Sequence, residues 1–527
     1  MATLAPEGAP QANPASEMEL WQRILAFALM AFGMFMAVLD IQIVAGSLAQ
    51  IQAGLSASAD EIVWVQTAYL IAETVMIPLS SFLSRWLSIR WAFTMSCAAF
   101  TVTSMLCASA TTIEEMIVYR ALQGFVGGAM IPSVYATTFL AFGRDNANKA
   151  MGIIALIVTM APTVGPTLGG WVTDTFSWHW LFLINIVPGI IVTIGVATFG
   201  KFDTGEKGLI RRIDLPGLVL MALFLGGLSF VLEEGSRNDW FDDGAIRLWS
   251  LIALIAAVGF FWRVTTAKEP ILRLDAFGNL NFAAGTFMSI VAGVALFGLI
   301  YIYPVFLARV GHLSSTQIGG ILAGTGAAMF FTGIAMNQFR NHLRARHMIA
   351  AGFLLLALST WMTSQLDAEW RFNEMFWPQI LRGIGLMMVI ASIMASSFTT
   401  LPPHQLKDAA SLLTLLRNLG GATGIALLNT LLLIRFNFHW SRLAEAINPA
   451  RDEVLARLDL LRGLGIEQGL ADPEASALRA IGADVAEQAL VMSFADCFYL
   501  LSLLFLLAAA IPLLLKGGTD DRLGAGH

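Results

Sequence analysis

Residues 161–170 read APTVGPTLGG, with apolar sequence on both sides. Pro162 and Pro166 stand one turn apart among Gly165, Gly169 and Gly170. A proline in a helix interior removes a ladder hydrogen bond and costs about 3 kcal/mol. Inside a membrane the freed carbonyls must be satisfied by neighbours, so the stretch predicts a kinked span packed on another helix. Gly165 and Gly169 share one face at helical spacing, where small residues let a second backbone come close. Such an element is either a static kink or a hinge between two moving bodies.

The rest of the chain supplies the setting. Of 527 residues, 57% are hydrophobic and 13% charged, and mean hydropathy is +0.71. Soluble domains carry about 25% charged residues, so the composition is that of a polytopic membrane protein. The net charge of −6 decides little, because its distribution matters more than its sum. Cys97, Cys107 and Cys497 all fall in apolar runs, without disulfide or metal-ligand spacing. The Ala/Pro/Glu-rich start has no basic n-region, so no cleavable signal peptide is expected there.

A spanning helix needs about 20 mostly apolar residues. Fourteen stretches qualify: 24–48, 62–84, 91–110, 114–140, 148–173, 179–199, 214–233, 246–263, 281–307, 316–338, 347–365, 374–400, 408–434 and 490–515. With the N-terminus inside, most of the 31 lysines and arginines fall in inner loops. Short outer loops hold only Arg237, Arg247, Arg309 and Arg371. That asymmetry predicts both termini in the cytoplasm. The one sizeable soluble piece is 437–489, where Val454, Leu455, Leu458, Leu461 and Leu464 mark an amphipathic outer helix. A second is expected around ASALRAIGADVAEQAL. The segment reads as a cap on the outer surface, or as a docking surface for a periplasmic partner.

An internal repeat divides the chain. MIVYRALQGFVGGAM (116–130) in the fourth span is echoed by PQILRGIGLMMV (378–389) in the twelfth, which aligns Arg120 with Arg382. GPTLGG in the fifth span is echoed by NLGGATG in the thirteenth. The expected organisation is an N-terminal tail (1–23), a six-helix bundle (24–199), a linker carrying inserted helices seven and eight (200–280), a second six-helix bundle (281–515) and a short cytoplasmic tail (516–527). Repeated helical halves with a site between them are a signature of rocking transporters.

Ionisable groups in hydrocarbon are costly and mark function by default. Asp40 falls in span one, Glu73 in span two, Arg120 in span four and Arg417, followed by Asn418, in span thirteen. Burial favours a protonated carboxyl and a nearby guanidinium favours an ionised one. A carboxyl between those influences can exchange a proton as its access to water alternates. Asp40 reads equally as an interhelical hydrogen-bonding group. Glu73 has no partner nearby in sequence, which favours coupling. Arg120 is expected to tune these acids or to pin backbone carbonyls, and Arg417 to act as a second-half polar group or an interfacial anchor. Asp496 reads as a snorkelling side chain near the outer face.

These residues resemble a known family. VGPTLGG is similar to the fifth-span antiporter motif of the major facilitator superfamily, and YRALQGFVGGA to its fourth-span Arg motif. LDIQIV, WVQTAYLIAE, FSWHWLFLINIVPGI and LPPHQLKDAASLLTLLRNLGGATG resemble first-, second-, sixth- and thirteenth-span patterns of its 14-span drug:proton antiporters. The resemblance is nearest to permeases of tripartite efflux pumps and runs from about Leu20 to Lys516. SFLSRWLSIR departs from the family's inner-loop pattern at Ser81, Arg85 and Ser88, so Arg85 and Arg90 are read chiefly as topology determinants.

The resemblance implies an all-α major facilitator fold, with proton-driven export of hydrophobic or amphipathic compounds across a bacterial inner membrane. Asp40, Glu73 and Arg120 would couple the proton. Trp64, Gln66, Tyr69 and Gln123 would line a substrate cavity, and Pro162, Gly165, Pro166, Gly169 and Gly170 would form the hinge. The proton is the only coupling ion expected, with no cofactor and no metal. The implied partners are a periplasmic membrane-fusion adaptor and an outer-membrane channel, with membrane lipid around the helices and no nucleic acid. The alternative is a dedicated exporter of a metabolite, siderophore or fatty acid on the same fold. An enzyme is disfavoured by the lack of GxSxG, HExxH or paired catalytic groups, and an ATP-driven pump by the lack of GxxxxGK[ST].

Overall fold

The computed structural model describes residues 18–206, 208–267, 270–313, 315–339, 344–399, 401–447, 451–468 and 472–514. The expected tails therefore fall largely outside the described residues. Thirteen helices among those described are long and apolar enough to cross a membrane. The one expected span outside those thirteen, the fifth (148–173), is the second arm of the helix Met130–Thr175. Its first arm completes span four, whose opening turns are Ile113–Gly127. The two arms meet at Gly143, where φ is 66° and ψ 179°. That left-handed φ suits glycine, and no atom lies within 4 Å of an added Cβ, so backbone conformation and not crowding selects it. The stretch 161–170 has a helical backbone.

Between the two echoing sets of spans, Leu215–Glu234 and Gly244–Thr266 pack on each other as the expected inserted hairpin. The glycine motifs explain how each bundle packs. A Cβ on Gly165 would sit 2.4 Å from Gln42 Cβ, and one on Gly169 2.6 Å from the Ile43 carbonyl oxygen. Span five thus lies backbone-close against span one (Leu20–Ala45). In the other half a Cβ on Gly420 would sit 2.2 Å from the Ile290 carbonyl oxygen, and one on Gly293 2.0 Å from that of Arg417. Span thirteen meets span nine in the same way, beside a π-helical turn at Val294–Gly298. The sequence echo is therefore also an echo of packing.

The outer segment differs from expectation in one respect. Span thirteen continues unbroken as Leu406–Ala446, and Asp452–Glu467 forms the first outer helix. The second outer helix is not separate: it is the start of Pro473–Leu514, which runs on into span fourteen. At 1.5 Å per residue that helix is about 60 Å long, twice a hydrocarbon core. It carries the outer segment as a stalk. Asp496 at its base does not snorkel alone: it accepts from Arg435 Nε at 2.5 Å and lies 2.7 Å from His439 Nε2.

Candidate functional site

Five spans of the first half converge on Asp40, which is 1% exposed. Arg120 donates through Nη1 to Asp40 Oδ2 at 2.6 Å and to Gln123 Oε1 at 2.7 Å. Its Nε donates to the Val65 carbonyl at 3.2 Å, and its guanidinium lies 4.2 Å from the Tyr69 ring centre. Asn185 Nδ2 donates to Asp40 Oδ1 at 2.8 Å, and Gln123 Nε2 donates to the same oxygen at 3.3 Å. Both amides also donate to Ser104 Oγ, at 3.3 and 2.7 Å. A buried charge is tolerated only when paired and hydrogen-bonded, and both Asp40 carboxylate oxygens are.

Local sequence explains how the parts arrive. Arg120 and Gln123 sit one turn apart on Ile113–Gly127 and so share a face. Gly124 beside them lets span two approach until an added Cβ would be 2.2 Å from the Tyr69 carbonyl oxygen. Asn185 occupies the joint between Trp180–Leu183 and Ile186–Phe199, and its side chain makes no cap hydrogen bond there. It is free to reach Asp40. Asn185 and Ser104 were not among the expected site residues. A lone amide in the apolar run FLINIVPGI was the available signal.

The remaining expected residues divide. Tyr69 and Gln123 belong to this polar cluster and have no exposure, so in this conformation they do not face open space. Trp64 stacks on Phe230 of the inserted hairpin with ring centres 5.9 Å apart. Gln66 is half-buried, with its Oε1 lacking a hydrogen-bond partner among the described residues. Glu73 is 3% exposed, and no hydrogen bond to its carboxyl is found among the described residues. The charges acting on it are Arg417, from the opposite half, and Arg120. Arg417 is not an interfacial anchor. It is 3% exposed and donates through Nη1 to Tyr135 Oη at 3.1 Å, across the junction of the halves. Asn418 beside it is half-buried.

A second polar assembly ties the halves at the opposite end from the stalk. Ser81 donates to Asp408, and Arg85 Nη2 lies 4.0 Å from Asp408 Oδ1. Arg85 also donates to the carbonyls of Pro270 and Ile271 at 3.3 and 3.1 Å. Lys407 Nζ pairs with Asp203 Oδ2 at 2.7 Å and donates to the Ser84 carbonyl at 3.0 Å. Arg85 is therefore more than a topology determinant: the latch survives the sequence departure because its acid, Asp408, stands on span thirteen. Arg90 donates through Nε to the Ala197 carbonyl at 2.8 Å. Asp408→Asn should weaken the latch by about 1.5–3 kcal/mol, the worth of a charged hydrogen bond. With Ser80→Cys and Ser411→Cys in a chain otherwise free of cysteine, cross-linking should then fall (the hydroxyls lie 3.2 Å apart). An unchanged yield would show that Asp408 does not hold this end shut.

The family model described as the Major Facilitator Superfamily matches residues 30–425. The chain belongs to that superfamily. It is 40% identical over 492 residues to the colistin resistance protein EmrB of Acinetobacter baumannii, covering 93% of this chain and 96% of that one. It is 28% identical to the fatty acid resistance protein FarB of Neisseria gonorrhoeae, over 95% of this chain and 98% of that one. To the multidrug export protein EmrB of Escherichia coli it is 27% identical, over 92% and 94% of the two chains. Among solved structures, the human organic anion transporter MFSD10 shares the fold with a TM-score of 0.58 at 12% identity, over 93% of this chain and 99% of that one. The motif resemblance in the sequence is thus matched along nearly the full chain, and the protein is a multi-pass membrane protein of this superfamily.

Proposed function

We propose that the protein is a proton-coupled antiporter that exports hydrophobic or amphipathic compounds by alternating access. The observation that carries this reading is the placement of two lipid-depth carboxyls: Asp40 is bound to Arg120 within one half, and Glu73, buried and without an ion-pair partner among the described residues, lies in the field of Arg417 from the other. A rocking motion changes the second relation directly, because its members stand on different bodies. Proton uptake at Glu73 would weaken its attraction to Arg417 and favour separation of the halves. The latch at Asp408 and Lys407 would open on the return stroke. The names of the EmrB relatives, a colistin resistance protein and a multidrug export protein, support drugs as the cargo. The basic loops support an inner-membrane orientation with both termini cytoplasmic, and the stalk offers a surface on which a periplasmic adaptor and outer-membrane channel could assemble.

Transport into inverted vesicles tests the coupling. Cargo should accumulate under an inward-acid gradient and leak away with an uncoupler. Glu73→Gln should cut gradient-driven accumulation about tenfold or more, because a neutral amide cannot exchange the proton. Full accumulation in that variant would remove Glu73 from the mechanism. The second reading, a dedicated exporter, is favoured by the FarB relative. A deletion strain insensitive to a panel of dyes but sensitive to one class of compound would select it.

A further inference from the structure

Arg120 has a counterpart whose chemistry is incomplete. Arg382, in the span Phe372–Thr399 of the second half, is 1% exposed and stacks 4.8 Å from the ring centre of Tyr303. Its Nε and Nη1 are buried and lack hydrogen-bond partners among the described residues. Gln379, one turn earlier on the same face, is also 1% exposed, and its Nε2 is likewise buried without a partner. Gln379 Oε1 accepts from Thr325 Oγ1 at 2.6 Å. No carboxylate among the described residues pairs with Arg382.

The first half shows what such a set of donors holds. There an Arg and a Gln one turn apart both donate to one carboxylate, Asp40, supplied by span one. In the second half the equivalent span, the ninth, supplies Tyr303, whose hydroxyl is engaged with Thr363 Oγ1 at 2.8 Å. Tyr303 therefore gives Arg382 a ring face but no negative charge. Burying a guanidinium without a counter-charge is unfavourable, and so is burying an N–H without an acceptor. We propose that Arg382 and Gln379 form an anion-binding site within the second half, which accepts a carboxylate-like group: a free small anion or the head group of an anionic amphipath. Arg382 Nε and Nη1 would donate to it, and Gln379 Nε2, one turn before its arginine where Gln123 is one turn after Arg120, would close it from the other side. In its cargo arm this deepens the exporter reading and rests on it; the site itself does not.

The test is thermal unfolding of the purified full-length protein in detergent, titrated with sodium chloride, acetate or hexanoate. Wild-type protein should show a saturable rise in melting temperature. Arg382→Gln should lose it or raise the apparent dissociation constant about tenfold or more, since hydrogen bonds to a charged group are removed. Arg382→Lys should keep part, having the charge without the fork. Gln379→Leu leaves the buried charge in place and should weaken the response less, which keeps the test decisive if the Arg382→Gln protein does not fold. Hexanoate binding more tightly than acetate would assign the site to an amphipath's head group; equal binding of acetate or chloride would assign it to a free ion. Either supports the site. No saturable shift in wild type, or the same shift in Arg382→Gln and Gln379→Leu, overturns it. Failure of vesicle transport in Glu73→Gln bears only on coupling, so the two readings fail separately.

Discussion

Asp40→Asn should abolish gradient-driven export and also lower the stability of the protein, and the two effects should separate in a double variant. Asp40 neutralises a guanidinium that is itself 0% exposed. Removing one member of a buried pair leaves the other uncompensated, at about 3–5 kcal/mol. Arg120→Gln alone should destabilise for the mirror reason, since Asp40 would keep only the amides of Asn185 and Gln123. Combining Asp40→Asn with Arg120→Gln removes both charges from the core. The double variant should melt above either single one, because residues in one network are not additive. It should still fail to couple transport to protons. Melting in detergent and accumulation in inverted vesicles read the two properties. Gradient-driven export by the double variant would show that this pair is structural only.

Gly169→Ala should cost far more than Gly170→Ala, although the two glycines are adjacent in one motif. An added Cβ at Gly169 would meet the Ile43 carbonyl oxygen at 2.6 Å and Ser47 Oγ at 2.9 Å, whereas nothing lies within 4 Å of one at Gly170. Backbone cannot yield as a side chain can, so spans one and five must part. Overpacking of this kind costs about 1–3 kcal/mol. Gly165→Ala should behave like Gly169→Ala, given its 2.4 Å approach to Gln42 Cβ. Because Asp40 sits on the same span one, separation there also displaces the carboxyl from Arg120, so transport should fall with stability. Equal, mild effects at all three glycines would mean that close helix contact is not what the motif provides. Equal, severe effects would point to a role of the motif beyond packing.

Much of this is legible in the amino-acid sequence. Spans of apolar length, the basic inner loops and the Arg/glycine echo each follow from local composition and spacing, because a membrane imposes length and charge rules on every helix separately. Asp40, Glu73 and Arg120 stood out for the same reason: each is an ionisable residue where lipid would otherwise be met. The left-handed turn at Gly143, which joins spans four and five, is carried by a single glycine in a polar stretch and has no wider signature in the sequence. The second outer helix could not be told from span fourteen, since nothing at their junction ends a helix.

What the amino-acid sequence determined by itself is the kind of protein: membrane-spanning helices in two echoing sets, with acids and arginines at lipid depth. What only the tertiary structure decided is who meets whom. Asn185 joins Asp40 across 145 residues, Asp408 meets Ser81 across 327, and Arg417 meets Tyr135 across 282. Hydropathy and helical periodicity report which face of a helix is apolar. They carry no record of which helix lies against that face, and pairing of buried charges is a property of the two helices together.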